Sequence, residues 1–365
     1  MYSERQPQHE RAVDTQKVYR LEVGQEIKDT TNRAYKLDRL LGKGGMGMVF
    51  EATNLENGMR VAIKFIHPEC REEPSLVQRF EREILTVAQV PSPFILFPID
   101  RIEVQTVSGE TVGFVTELVK GNNLLTEVSQ STFEGRPYRM DPLLVCEYAS
   151  EIALAIAAMD KAGFVHRDLK LNNIFLQDMP DGTKIARVGD FGVAGTSVDW
   201  DEDETMQELW GIEKEGHLKA HEPLTHPNLA IGSPHISSPE LFRKPYVTSK
   251  SDIFALGVMC YTLLTGQEPF DGVDRQTVRE QILYTNPLSF EEQHASFVPE
   301  VFQQLVMDML SKDPGKRPSG KEVYARLKAW IASAHPEKLK QIPFIYQFKE
   351  PSDVLEEKLP LTKAA

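Results

Sequence analysis

His166-Arg167-Asp168-Leu169-Lys170-Leu171-Asn172-Asn173 is the densest run of chemistry-bearing residues in this 365-residue chain. It directly follows an apolar stretch, Pro142–Lys161, that reads as a helix buried on nearly all sides. Taken singly, His166 reads as an imidazole satisfied in a core and Asp168 as a turn acid; the set of identities at fixed spacing does not have so ordinary a reading. Downstream, Ile174–Leu176 and Lys184–Val188 read as a hairpin around Asp181-Gly182 that delivers Asp190-Phe191-Gly192. An Asn side-chain oxygen and a carboxylate are hard donors that suit a divalent cation such as Mg²⁺, with phosphate oxygens completing its shell.

Upstream the pattern is that of a sheet. Tyr35–Leu41, Met48–Thr53 and Arg60–Ile66 are short β-branched and aromatic runs, separated by a glycine-rich turn and by Leu55-Glu-Asn-Gly58, and they read as an antiparallel meander. The first turn is Gly42-Lys-Gly44-Gly-Met-Gly47. A dinucleotide-binding turn would open into a helix, whereas this one continues as a strand; a P-loop would need Lys then Ser or Thr after its last glycine, where Met48 and Val49 stand. A glycine hairpin between two strands remains, either a tight turn alone or a cover of bare N–H groups for phosphates. Lys64, in Val61-Ala62-Ile63-Lys64, is either an edge lysine or a cation beneath that loop. In the second case it needs an anion, and Glu83 on the amphipathic helix expected over Pro74–Val90 supplies one, with Glu81 competing from another face. Two more strands, Ile99–Val107 and Thr111–Glu117, flank a turn at Ser108-Gly109. Beyond Lys120 the chain is mostly helical, with helices expected over Ser251–Gly266, Asp274–Tyr284, Pro299–Leu310 and Gly320–Ala332.

Composition narrows the class of function. There are 54 acidic and 41 basic side chains, a net charge of −13, which argues against a nucleic-acid binder. The polar N-terminus has no apolar core and is not a secretory signal. The longest charge-free, strongly apolar stretch, Ile253–Gln267, falls short of the about 20 residues of a membrane span, so no membrane span is expected. Cys70, Cys146 and Cys260 lie far apart with no metal-ligand spacing, which points to a reducing cytoplasm.

In order, the glycine loop, Val-Ala-Ile-Lys, the helix Glu, His-Arg-Asp…Asn, Asp-Phe-Gly and Ser238-Pro239-Glu240 resemble the protein-kinase signature set. The wording Gly-Lys-Gly-Gly-Met-Gly-Met-Val-Phe-Glu-Ala is further similar to bacterial eukaryotic-like (Hanks-type) Ser/Thr kinases. The resemblance spans about residues 34–334. It implies an α+β bilobal protein-kinase fold, with a small antiparallel-sheet N-lobe carrying one main helix (34–118) and a larger, mostly helical C-lobe (119–334). It implies ATP and Mg²⁺ as cofactors, with Mn²⁺ as the alternative ion, and protein Ser/Thr hydroxyls as acceptors, including this chain's own. Lys64 would hold the α- and β-phosphates, oriented by Glu83. Asp168 would accept the substrate proton, Lys170 would contact the transferred phosphate, and Asn173 and Asp190 would bind metal. Gly42, Gly44 and Gly47 would cover the phosphates; Leu41, Val49 and Ala62 would line the adenine slot, where a plain core role is an equal reading. Thr116 takes the gatekeeper position, and Glu117–Val119 the hinge that meets adenine. Asp252 would brace the catalytic loop and Arg317 would pair with Glu240.

Three departures stand out. Ile236 replaces a frequent Tyr, and Ser238 an Ala, in the substrate loop. The activation segment, within 190–240, has 45 residues between Gly192 and Ser238 and carries six acids in Asp199–Glu208. That stretch reads as a solvated loop, a phosphate mimic, or a recruiter of basic partners. Arg167 beside the catalytic Asp implies control by phosphorylation of the segment, with Thr196, Ser197, Thr205 and Thr225 as candidate acceptors. Residues 1–33, apart from a pinned strand within Leu21–Ile27, and 335–365 read as tails. A pseudokinase scaffold is the competing reading from another class and a small-molecule kinase a third; a homodimer would serve autophosphorylation in trans.

Overall fold

Tyr19, Ile27, Tyr35 and Leu37 come from a part of the chain with few apolar residues, yet all four are buried in one core with Phe50, Ile63, Phe65 and Val115. In the computed structural model the described residues are 19–43, 47–66, 87–88, 90, 92–107, 109–130, 138–191, 195–196, 237–242 and 247–336. The expected helix over Pro74–Val90, with Glu81 and Glu83, lies almost wholly outside them, as do Gly44, Cys70, Gly192, Ser197, the acidic stretch 199–208, Thr225 and Ile236. The chain divides into two compact units, Met1–Arg79 with Pro98–Leu118, and Phe80–Phe97 with Val119–Ala365.

The first unit is a six-stranded antiparallel sheet, β1 (Glu26–Lys28), β2 (Ala34–Lys43), β3 (Gly47–Asn54), β4 (Arg60–Ile66), β5 (Pro98–Thr106) and β6 (Gly109–Glu117), in the order β1-β2-β3-β4-β6-β5. The sheet curls until its two edges meet. Just past β1, Thr30 N–H donates to Glu103 O at 3.0 Å, and Arg33 Nη2 donates to Arg101 O at 2.9 Å, both carbonyls on β5. Tyr19 pairs with the same strand, donating to Gln105 O and accepting from Val107 N–H, both at 2.9 Å. Residues 19–33 are therefore not part of a tail, which corrects the 1–33 boundary. Their few apolar side chains lie too far apart to make a periodic signal.

In the second unit α1 (Leu124–Gln130) leads to α2 (Pro142–Lys161), whose start is fixed by Pro142 in its first turn and by the Asp141 carboxylate, which accepts Leu143 N–H at 2.9 Å. Strand β7 (Phe164–Val165) and the hairpin β8 (Ile174–Asp178) and β9 (Lys184–Val188) follow, and β10 (Gly195–Thr196) pairs with β7. Four helices complete the unit: α3 (Ser249–Thr265), α4 (Arg275–Tyr284), α5 (Glu300–Met309) and α6 (Gly320–Ala334). Helix α3 is buried on all sides, so it is apolar round its whole circumference; Thr248 caps its start and Gly266, at φ 73°, its end. Helix α6 opens with a capping box between Ser319 and Glu322.

One described helix, α2, is long and apolar enough to cross a membrane by length and composition alone. Most of it is buried inside the unit, against α3 and α6, which is where a core helix sits.

The segment before β5 also departs from the expected 34–118 lobe. Val87, Val90, Phe94 and Ile95 bury in the second unit's core, and Leu96 and Val188 are tied by Leu96 N–H to Val188 O at 2.8 Å. Phe80–Phe97 therefore belongs with the second unit.

Candidate active site

In the first unit, strand register decides which side chains share a face. Residues directly opposite across an antiparallel pair lie on the same side, as do residues two apart along a strand. Val49 is opposite Lys64, Lys64 is opposite Phe114, and Ala62 is opposite Thr116. Val49, Ala62, Lys64 and Thr116 thus occupy one face, while Phe50, Ile63, Phe65 and Val115 point into the core on the other. Gly42 and Gly47 sit at the ends of the β2–β3 hairpin, after a register shift between Leu40 and Gly42. The two glycines differ. A side chain on Gly47 would collide with the Phe65 carbonyl, so the fold itself requires glycine there; one on Gly42 would meet nothing within 4 Å. Leu41 is exposed, and Glu117 ends β6 just before the chain passes from the first unit to the second between Leu118 and Val119.

In the second unit the catalytic-loop candidates are brought together by hydrogen bonds. Lys170 Nζ lies 2.7 Å from Asp168 Oδ2. Asn173 Nδ2 donates to Asp168 O at 2.8 Å and to Asp168 Oδ2 at 3.1 Å. With its amide nitrogen committed to Asp168, Asn173 presents Oδ1 as an acceptor. Asn173 O accepts Gly189 N–H at 2.9 Å, which sets the β9 exit against the loop, and Asp190 follows at φ 57°. A non-glycine residue in the left-handed region costs about 1–3 kcal/mol and persists where its surroundings over-determine it. Arg167, at φ 66°, is a second such residue.

The support beneath this loop is buried. His166 is fully enclosed, its Nε2 3.1 Å from Gly189 O and its Nδ1 accepting Asp168 N–H at 3.3 Å, with the Phe191 ring 4.9 Å from its own. Asp252, at the start of α3, accepts His166 N–H at 2.8 Å on Oδ2 and Arg167 N–H at 3.0 Å on Oδ1. Burial pushes the Asp252 carboxyl up from its ordinary range, against the lowering effect of His166 and Arg167. Farther along, Arg317 grips Glu240 in a two-pronged pair, Nη1 to Oε1 at 2.7 Å and Nη2 to Oε2 at 2.8 Å. Ser251 Oγ adds a third bond to Glu240 at 2.8 Å. Burial raises the Glu240 carboxyl pKa, but the Arg317 hydrogen bonds and charge outweigh it and hold the group below the usual range.

Residues 35–328 match the protein kinase domain. The chain belongs to the protein kinase family. It is similar to serine/threonine-protein kinase pkn2 of Myxococcus xanthus, 29% identical over 314 residues that cover 82% of this chain and 32% of that protein. It is similar to PknA of Corynebacterium glutamicum, 27% identical over 89% of this chain and 62% of the relative, and to PrkC of Bacillus subtilis, 29% identical over 78% and 38%. The chain therefore spans about a third to three-fifths of the length of these curated relatives.

Within this kinase domain, sequence reasoning overlooked two contributors. Ser251 bonds Glu240, and Lys250 Nζ bonds Arg317 O at 2.6 Å. Both lie in the first turn of α3 beside Asp252, so that turn serves the catalytic loop and the Glu240 segment together. Their types carry no signal, since Ser and Lys near a helix start are ordinary.

Proposed function

We propose that this chain is a serine/threonine protein kinase, transferring the γ-phosphoryl group of ATP to protein Ser or Thr hydroxyls, its own included. The observation that carries the proposal is the arrangement around Asp168. Its Oδ2 is engaged by Lys170 and Asn173, while no described residue hydrogen-bonds Oδ1. One carboxylate oxygen is thereby fixed and the other is left to accept a proton from an acceptor hydroxyl.

The donor set fits a hard divalent cation, because Asn173 Oδ1 and the Asp190 carboxylate are oxygen ligands. Bound Mg²⁺ would neutralise charge on the phosphate oxygens, and ATP would supply the phosphoryl group. The chain's own residues do the positioning. Lys64, on the same sheet face as Val49 and Ala62, would hold phosphate oxygens while those two line an apolar slot for adenine. Lys170 lies on Asp168 Oδ2, placed to meet the phosphoryl group as it reaches the acceptor. Ser/Thr preference is supported by Lys170 and by the relatives, which are named serine/threonine-protein kinases. A cytoplasmic setting is supported by cysteine usage, Cys146 and Cys260 being buried free thiols. Autophosphorylation in trans would bring two copies together.

The test is incubation with Mg²⁺ and γ-labelled ATP, followed by phosphosite mapping. Asp168→Asn should lose about 10²–10⁴-fold in transfer while still binding ATP. Equal labelling of both proteins would remove Asp168 as the base, and no label in either would leave a binding module.

A further inference from the structure

The pair between Glu240 and Arg317 is the near end of a longer chain of contacts. Arg317 Cζ lies 4.9 Å from the centroid of the Phe254 ring. Phe254 stacks on Phe270 with centroids 5.8 Å apart and planes 5° from parallel. Lys312 Nζ sits 3.8 Å from the centroid of Phe270 on the way to the end of α4, where it donates to Ile282 O at 2.6 Å and Gln281 O at 3.2 Å. The chain closes on itself, because Arg317 Nε donates to Ser311 O, the residue before Lys312, at 2.8 Å. Both aromatic rings are fully buried, so two cations face an apolar stack with little water to screen them.

A second connection runs from the same helix to the same segment. Arg279 of α4 places Cζ 5.8 Å from the Phe242 ring, and Phe242 ends the 3₁₀ turn Pro239–Phe242 that carries Glu240. Helix α4 is therefore held at its C-terminal carbonyls by Lys312 and along its length by Arg279. Each cation leads to one end of Pro239–Phe242: Lys312 through the stack and Arg317 to Glu240, Arg279 directly to Phe242.

We propose that Lys312, through the Phe270–Phe254 stack and Arg317, and Arg279, directly from α4, are positioning residues for the acceptor-binding segment around Ser237–Phe242. The inference rests on the kinase reading above and on the resemblance that puts Ser238 in the substrate loop. Neither residue touches the reacting atoms. Both set the acceptor segment's place, so their removal weakens peptide binding while leaving ATP binding and the chemical step intact.

The experiment compares wild type with Lys312→Met, Lys312→Arg and Arg279→Gln in the full chain. The Michaelis constants for an acceptor peptide and for ATP are measured, with hydrogen exchange followed at residues 237–242. Lys312→Met keeps the apolar stem and loses the charge. It should raise the peptide KM about 3- to 10-fold, the range that loss of a desolvated cation–π contact and its hydrogen bonds gives, with kcat and ATP KM within about twofold. Exchange at 237–242 should quicken, and Lys312→Arg should restore both readouts. Arg279→Gln should do the same from the other connection, and it carries the test if Lys312→Met does not fold. An unchanged peptide KM with unchanged exchange overturns the proposal, as does a rise in ATP KM equal to that for peptide. If wild type shows no Asp168-dependent transfer, the kinase reading fails, and the exchange measurement alone decides whether the two cations order the segment.

Discussion

Arg167 holds a left-handed backbone, φ 66°, with its N–H on Asp252 Oδ1 at 3.0 Å, and His166 N–H takes the other oxygen of the same carboxylate at 2.8 Å. One buried side chain at the head of α3 thus satisfies two successive main-chain donors and fixes an unfavourable turn immediately before Asp168. Removing it leaves both donors buried and unpaired, at about 1–3 kcal/mol each. Asp252→Ala should therefore unfold at lower urea concentration. Its surviving folded fraction should transfer phosphate far more slowly, since the loop that presents Asp168 has lost its brace. A variant with wild-type stability and wild-type rate would show that the turn is held by something else.

The two outer glycines of Gly42-Lys-Gly44-Gly-Met-Gly47 should separate in experiment. At Gly47 a methyl group would strike the Phe65 carbonyl across β4, and backbone cannot step aside as a flexible side chain can. Gly47→Ala should lower the melting temperature. At Gly42 the fold leaves open space and no positive φ, so Gly42→Ala should leave the melting temperature within about 1 °C, the scale of a surface change. If Gly42 serves phosphate approach, that variant should show its loss in ATP KM instead. The reverse pattern would put the structural demand on the wrong glycine.

These two cases also show what was legible in the sequence. The strands β2 to β6 and the helices α4 to α6 were readable because each repeats apolar residues at its own period, as with Phe50, Ala52, Ile63 and Phe65 in the sheet, and α2 and α3 because each is a long run apolar on nearly all sides. His166, Asp168, Asn173 and Asp190 were readable because their spacing is local: one loop and one hairpin bring them together. What was not readable depends on pairing at long range. A pinned strand within Leu21–Ile27 was open to the sequence, but Tyr19 is an isolated apolar residue whose burial follows from β5, far along the chain, curling back to meet it. Helix α1, seven residues with Leu124 and Val128 inward, is too short to show a period. Phe94 and Ile95 precede a strand of one unit and bury in the other, a choice set by Val188 rather than by their own neighbourhood.

The Arg317–Glu240 pair makes a prediction about pH. Burial raises the Glu240 pKa, the Arg317 bonds and charge lower it by more, and the folded value lies below the ordinary 4.5. A carboxyl whose folded pKa is depressed contributes stability that is fully present above its unfolded pKa and is lost as pH falls through the folded one. The stability difference between wild type and Glu240→Gln should therefore be constant near neutral pH. It should shrink as pH drops below about 4.5. Arg317→Ala, which strands the Glu240 carboxylate in a largely buried setting, should cost about 3–5 kcal/mol at neutral pH. A difference between wild type and Glu240→Gln that is flat across the acid range would mean the pair does not couple to folding.

The closure of the first sheet by residues 19–33 can be tested without touching the catalytic loop. Ile27 is fully buried, and its truncation to Ala should cost about 2–5 kcal/mol, as for other buried Ile or Leu residues. Asp29 acts on the polar side of the same closure: its carboxylate accepts Thr31 N–H at 2.9 Å and Arg33 N–H and Nε–H at 2.8 Å, and Arg33 in turn reaches β5 through Arg101 O. Arg33 is also held by the Asp100 carboxylate on β5, so Asp29→Ala loosens the turn and only part of the Arg33 anchorage; because the two variants share the Asp29–Arg33 pair, the double variant should cost less than the sum of the two single losses. Strict additivity in thermal unfolding would mean that Asp29 and Arg33 act separately, and that the edge-to-edge join is carried by the main chain alone.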